Sequence, residues 1–189
     1  GTHLTKKLSD LGANVVGSYL NRMPNQELPN VKFIRADYTN YQDCLMATKN
    51  IDFIFMAAAN TSGAAVMEKT PLAHLTPNVV MNSQMLAAAY ENKISKFCFV
   101  SSNTVYPVSD LPVKEDDINY EFFSKYFIVG WMKLFSEKMN QMYSKHIKNP
   151  MNTLVVRPGN LYGPYDKFTW KESKVIAALI RKSVEQHDP

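Results

Sequence analysis

Short apolar runs alternate with longer mixed segments along this chain. Residues 14–20 (N-V-V-G-S-Y-L), 31–36 (V-K-F-I-R-A), 51–58 (I-D-F-I-F-M-A-A), 96–102 (K-F-C-F-V-S-S) and 153–157 (T-L-V-V-R) have the length and composition of strands. The nearly continuous apolar run at 51–58 predicts a strand buried on both faces. Helices are predicted over 2–11, 41–49, 71–92, 123–144 and 172–185, with Gly12 closing the first at its C-terminal cap. Strands alternating with helices predict an α/β fold built on a doubly wound, mostly parallel sheet.

Such sheets bind ligands beyond the carboxyl ends of their strands. The residues there read S-Y-L-N-R (18–22), A-D-Y-T (36–39), A-A-A-N-T-S (57–62), S-S-N-T-V-Y-P (101–107) and R-P-G-N-L-Y-G-P (157–164). Small, hydroxylated and turn-forming residues let a ligand approach the backbone closely. Polar strand ends are common one at a time; five together point to a pocket.

Composition narrows the class. The chain has 189 residues, 46% of them hydrophobic and 20% charged, which suits one globular domain. The net charge of +4 comes from scattered residues, without the basic stripe of a nucleic-acid surface. No apolar run approaches the roughly 18 residues that span a bilayer, and residues 1–4 lack a signal-peptide core. With two cysteines, Cys44 and Cys98, a reducing, cytoplasmic location is expected and no disulfide framework. His3, His74, His146 and His187 show no metal-ligand spacing, and no metal is expected. Asn60-Thr61-Ser62 matches a glycosylation sequon by chance, since it follows a buried strand. The aromatics Phe122, Phe123, Tyr126 and Phe127 read as core and interface.

Five stretches together resemble the extended short-chain dehydrogenase/reductases, the NAD(P)-dependent nucleotide-sugar epimerases and dehydratases. D-F-I-F-M-A-A-A is similar to that family's fourth strand and F-V-S-S-N-T-V-Y-P to its fifth strand with the catalytic hydroxyl. G-W-M-K-L-F-S-E-K resembles the helix with the active-site lysine, and V-V-R-P-G-N-L-Y-G-P the sixth strand and substrate loop. Y-D-K-F-T-W-K-E-S-K-V-I-A-A-L-I-R-K is similar to the GDP-fucose synthase branch. The resemblance implies a Rossmann-like NAD(P)-binding domain over residues 1–164 and the start of a substrate-binding part over 165–189. It also implies that the family's first strand and earlier phosphate-binding glycines are absent, with Gly1 standing for the last of them. The absent strand belongs at the centre of the sheet. Relatives continue past Pro189, and a homodimer through the two long helices is implied for the full-length protein.

Residue by residue, the resemblance implies cofactor contacts at Gly1, Arg22, Asp37, Tyr38, Ala57, Ala58, Ala59, Lys133 and Pro158. Several keep an ordinary alternative. Asp37 also suits a helix N-cap or turn, the alanines suit strand–helix packing, and Arg22 suits a solvated loop. No acid follows the second strand, and Arg22 can pair with a phosphate, so NADP is expected before NAD. Ser102 matches the catalytic hydroxyl and Lys133 the lysine. The tyrosine expected one helical turn before Lys133 falls on Val129, which cannot exchange a proton. Tyr126 is the candidate substitute if the helix start is irregular; Tyr106 is a weaker one. Substrate contacts are implied at Asn103, Thr104, Asn160 and Lys174, with an Asx-turn as the alternative for Asn160 and a solvated charge for Lys174 and Arg181. Thr104 and Lys174 replace the cysteine and histidine of double epimerisation. Asn103-Thr104 replaces the Asp-Glu pair of the dehydratases. The expected substrate is a nucleotide-sugar, with a non-catalytic dinucleotide-binding relative as the alternative.

Overall fold

The computed structural model describes residues 1–25, 27–61, 70, 72–169 and 173–185. Its elements follow the sequence reading closely. Helix α1 (Thr2–Asp10) leads to β1 (Val15–Tyr19) and β2 (Val31–Arg35). Helix α2 (Tyr41–Thr48) and strand β3 (Phe53–Met56) precede the long helix α3 (Leu72–Glu91). Strand β4 (Lys96–Val100), helix α4 (Phe127–Lys145), strand β5 (Thr153–Val156) and helix α5 (Val175–Glu185) complete the order. Pro71, Glu172, Ser62 and His187, which enter the predicted helices, sequon and histidine reading, lie outside the described residues.

Local chemistry explains the boundaries. Gly12, at φ +83°, takes the left-handed conformation that ends α1. The Asn40 side chain accepts from Gln42 N–H and starts α2. Asn30, Asn50 and Lys93 take left-handed φ values just before β2, β3 and β4, turning the chain into each strand.

All strand pairs are parallel. β1 pairs with β2 from Val15↔Val31 to Tyr19↔Arg35. β4 lies between β3 and β5, with Phe53↔Lys96 and Phe97↔Thr153 in register. Among the described residues the strands form two parallel sheets, one of two strands and one of three. Between them lies a cleft of about 1280 Å³, lined by Val16 and Ser18 of β1, Phe53 and Phe55 of β3, and Leu4 and Leu8 of α1. The cleft separates β1 from β3.

One expectation is corrected here. β3 is not buried on both faces: Ile54 and Met56 are buried, but Phe53 and Phe55 are 59% and 43% exposed. Phe53 and Phe55 alternate with the core residues and face the cleft.

The main core lies between the three-stranded sheet and the helices. Met56, Met85, Leu86, Ala88, Phe97 and Phe99 are buried there, joined by Cys44 and Met151. α3 packs against α2 on one flank and α4 on the other. Each fully buried Leu or Phe contributes about 2 kcal/mol. A smaller cluster of Val105, Phe122 and Leu134 fastens the loop after β4 onto α4.

Candidate functional site

Parallel pairing brings the strand ends within each sheet to one side. Gly1, Ser18, Tyr38, Ala57 and Ala58 line the same inter-sheet cleft. Gly1 caps the N-terminus of α1, and a Cβ placed there meets nothing within 4 Å. Residues 57–60 are exposed just past β3. A helix N-terminus beside small side chains and open space fits a phosphate group, because helix N–H groups attract anions. The residues present therefore fit the phosphate part of a dinucleotide.

On the β1–β2 side, Asp37 Oδ1 accepts from Thr39 N–H at 2.9 Å and Thr39 Oγ1 at 2.7 Å. The Thr39 hydroxyl, then its amide, hold the Asp37 carboxyl below the usual carboxylate range. Of its ordinary alternatives, the turn holds and the helix cap does not, because Asn40 caps α2. Tyr38 packs on the core; burial raises its phenol pKa, opposed by a hydrogen bond with Ser18. Arg22 is exposed. A second guanidinium, Arg35, reaches the same strand end and donates to Leu20 O at 3.1 Å.

The other group gathers after β4. Ser102 Oγ accepts from Thr104 N–H at 3.2 Å and starts a 3-10 turn over Asn103–Val105. Asn103 N–H donates to Pro158 O at 3.1 Å, joining the ends of β4 and β5. Lys133, on α4, donates to Val100 O at 2.8 Å and lies 4.9 Å from the centre of the Phe99 ring. Burial pulls its pKa down to about 8, with Glu137 opposing. Val129 stands one turn before it, half-buried on the same helix. Gly130 makes the approach possible: a Cβ there would sit 2.7 Å from Thr104 O and 2.8 Å from Phe122 Cγ.

Helix α4 does start irregularly. Residues Ser124–Tyr126 form a 3-10 turn, and Tyr126 caps α4 at φ −114° and ψ 13°. Its ring lies 5.7 Å from that of Phe123. Phe122 is buried, whereas Phe123 and Phe127 are exposed.

Sequence reasoning missed a hub beneath this turn. Arg157 donates to Glu137 through Nε at 3.0 Å and Nη2 at 2.7 Å, and through Nη1 to Glu115 O at 2.7 Å. Ser101 Oγ also donates to Glu137 Oε1, and the Arg157 guanidinium lies 4.9 Å from the Tyr106 ring centre. The Glu137 partnership raises the Arg157 pKa. A side cavity of about 710 Å³ opens on Tyr106, Glu115, Glu137 and Arg157. The available signal was Glu137 one helical turn after Lys133, on a face that also carries Ser136 and Asn140. His3 was missed too: Nε2 lies 2.8 Å from Pro164 O and the ring 5.2 Å from Tyr165, tying the loop after β5 to α1.

The remaining candidates are more dispersed. Asn160 and Lys174 are exposed, and Lys174 immediately precedes α5. The Thr104 hydroxyl is buried without a hydrogen-bond partner among the described residues. Among the described residues, no group of His, Cys, Asp and Glu is placed to hold a metal, and no helix is long and apolar enough to cross a membrane.

Comparison with known proteins gives a consistent picture. The NAD dependent epimerase/dehydratase family matches over residues 1–189. GDP-L-fucose synthase of Escherichia coli (strain K12) is 30% identical over 144 residues, covering 72% of this chain and 42% of that enzyme. GDP-mannose 3,5-epimerase 1 of Oryza sativa subsp. indica is 27% identical over an alignment of 198 positions, covering 100% of this chain and 50% of that enzyme. The solved structure of MoeE5 in complex with UDP-glucuronic acid and NAD superposes with a TM-score of 0.82 at 25% identity, covering 96% of this chain and 57% of that one. The chain thus spans about half the length of the curated relatives it matches.

Proposed function

We propose that this chain, which belongs to the NAD dependent epimerase/dehydratase family, is the dinucleotide-binding part of an enzyme acting on a nucleotide-sugar by hydride transfer at a sugar carbon. The observation that carries this reading is the pairing of two groups at the strand ends. Gly1, Ala57 and Ala58 line an open cleft at the start of α1. Ser102 and Lys133 gather at the end of β4. The nicotinamide cofactor supplies the hydride acceptor or donor when bound. Gly1 and residues 57–59 receive its phosphates, while Asp37 and Tyr38 contact the adenine. Lys133, which donates to Val100 O, would bind the ribose hydroxyls. Ser102 hydrogen-bonds the reacting sugar oxygen. Pro158, whose carbonyl holds Asn103 N–H, would border the nicotinamide. Asn103, Thr104, Asn160 and Lys174 face the nucleotide-sugar, and residues 165–189 begin the part that holds it. Arg22, joined by Arg35, favours NADP by pairing with its 2′-phosphate.

Two readings divide on the group that carries the proton. Val129 cannot carry it, and the 3-10 start of α4 supports Tyr126 as the group that does. Val129 also favours a second reading, a relative that binds dinucleotide without turning over substrate. Nicotinamide absorbance decides between them in the natural protein containing this chain, with GDP- and UDP-sugars supplied. Turnover lost in Tyr126→Phe supports the relocated acid–base. An inert wild type rescued by Val129→Tyr supports the second reading.

The same reading includes a cytoplasmic location, in keeping with two buried free thiols, and a homodimer through α3 and α4. Phe127, Trp131 and Phe135 are exposed at four-residue steps along α4, as a helix-packing face requires. Sedimentation of wild type and Trp131→Glu tests the dimer.

A further inference from the structure

Helix α3 carries a proline in its interior, Pro77. Proline has no N–H, so the carbonyl four residues earlier, at Ala73, loses its helical partner. Asn60 supplies one: its Nδ2 donates to Ala73 O at 3.0 Å. The Asn60 backbone is held as well. Its N–H donates to Asn78 Oδ1 at 2.8 Å, and Asn78 Nδ2 donates to Asn60 O at 2.9 Å and to His74 O at 2.6 Å. Asn78 is 2% exposed, so these bonds are shielded from competing water.

This contact fixes one end of a short exposed segment. Residues 57–59 run between Met56, buried at the end of β3, and Asn60, fastened to α3. Ala57 N–H folds back onto Phe55 O at 2.9 Å. Alanine side chains offer nothing with which to hold such a segment in place, so its position comes from its two ends.

We propose that Asn60 and Asn78 are positioning residues for the dinucleotide-facing backbone at 57–59, and that Pro77 creates the contact by opening the Ala73 carbonyl. This rests on the reading that residues 57–59 face the dinucleotide. Pro77 then has a role opposite to its effect on the helix. Restoring an N–H at position 77 gives Ala73 O a helical partner that competes with the Asn60 side chain for the same carbonyl. Helix stability and dinucleotide affinity therefore move in opposite directions.

The test uses the natural protein containing this chain, with NADP and NAD as probes. Thermal midpoint, amide hydrogen exchange over 57–60 and dinucleotide Kd are measured for wild type, Pro77→Ala, Asn78→Ala and Asn60→Ala. In Pro77→Ala the midpoint holds or rises, the 57–60 amides exchange faster, and Kd weakens about two- to fivefold, the weight of one exposed hydrogen bond. Asn60→Ala, which removes the same bond, weakens Kd similarly. If Asn78→Ala fails to fold, Pro77→Ala still decides. Unchanged exchange in both Pro77→Ala and Asn60→Ala overturns the role given to the Asn60–Ala73 contact. Faster exchange with unchanged Kd overturns its positioning role. A wild type that binds neither dinucleotide overturns the underlying reading of the site, whatever the exchange shows.

Discussion

Lys133 and Glu137 show how much one turn of helix can hold. The lysine is enclosed by Val100 and Phe99, while Glu137 binds Arg157 and Ser101. Side chains of the Arg157–Glu137 pair are only 15% and 8% exposed. Removing one partner strands a buried charge, so Glu137→Ala is expected to lose about 3 kcal/mol by urea unfolding. Lys133 makes a pH signature. Its folded pKa of about 8 lies below the ordinary 10.5. Between those values the unfolded chain binds the extra proton, so this residue's contribution to stability rises with pH. Cys44 and Tyr38, whose pKa values burial raises, act oppositely at higher pH. The difference in midpoint between wild type and Lys133→Met isolates the lysine: the advantage of the variant is expected to shrink from pH 8 to 10. A constant difference would contradict the buried amine.

At the scale of elements, α4 and the turn after β4 meet where no side chain fits. Gly130→Ala places a methyl 2.7 Å from Thr104 O, a backbone atom that moves only with the Ser102–Thr104 turn. The expected cost is about 1–3 kcal/mol, read as a thermal midpoint lower by several degrees. Ser102 and Thr104 are expected to show altered amide shifts in the same variant. α2 depends on its cap: Asn40→Ala is expected to cost about 1 kcal/mol without changing the site. The element boundaries were largely legible because caps, left-handed turn residues and apolar spacing are local features. The 3-10 start of α4 was foreseen only as a condition, since the run Y-F-I-V-G-W-M-K is equally compatible with an unbroken helix.

At the scale of the whole molecule, the division of the strands between two sheets dominates. Two strand edges and the apolar side chains of Val16, Phe53 and Phe55 face the cleft. Unpaired edges and uncovered phenylalanines forgo both hydrogen bonds and apolar burial. These 189 residues alone are therefore expected to unfold early in urea with a shallow transition and to bind NADP weakly. A sharp, cooperative transition together with micromolar NADP binding would refute that.

The sequence by itself determined the order and type of the elements, the parallel α/β class, the family resemblance and the substitution of valine at position 129. Each of these is written in local periodicity or in short motifs. The tertiary structure decided what surrounds those residues. It paired Glu137 with Arg157 across 20 positions, seated the Lys133 amine against β4, joined Asn60 to a carbonyl opened by Pro77, and left one side of β3 facing a cleft. Such contacts arise only when distant segments close on one another. Burial, charge state and hydrogen-bond partners belong to that closure, and the chain's local pattern does not encode them.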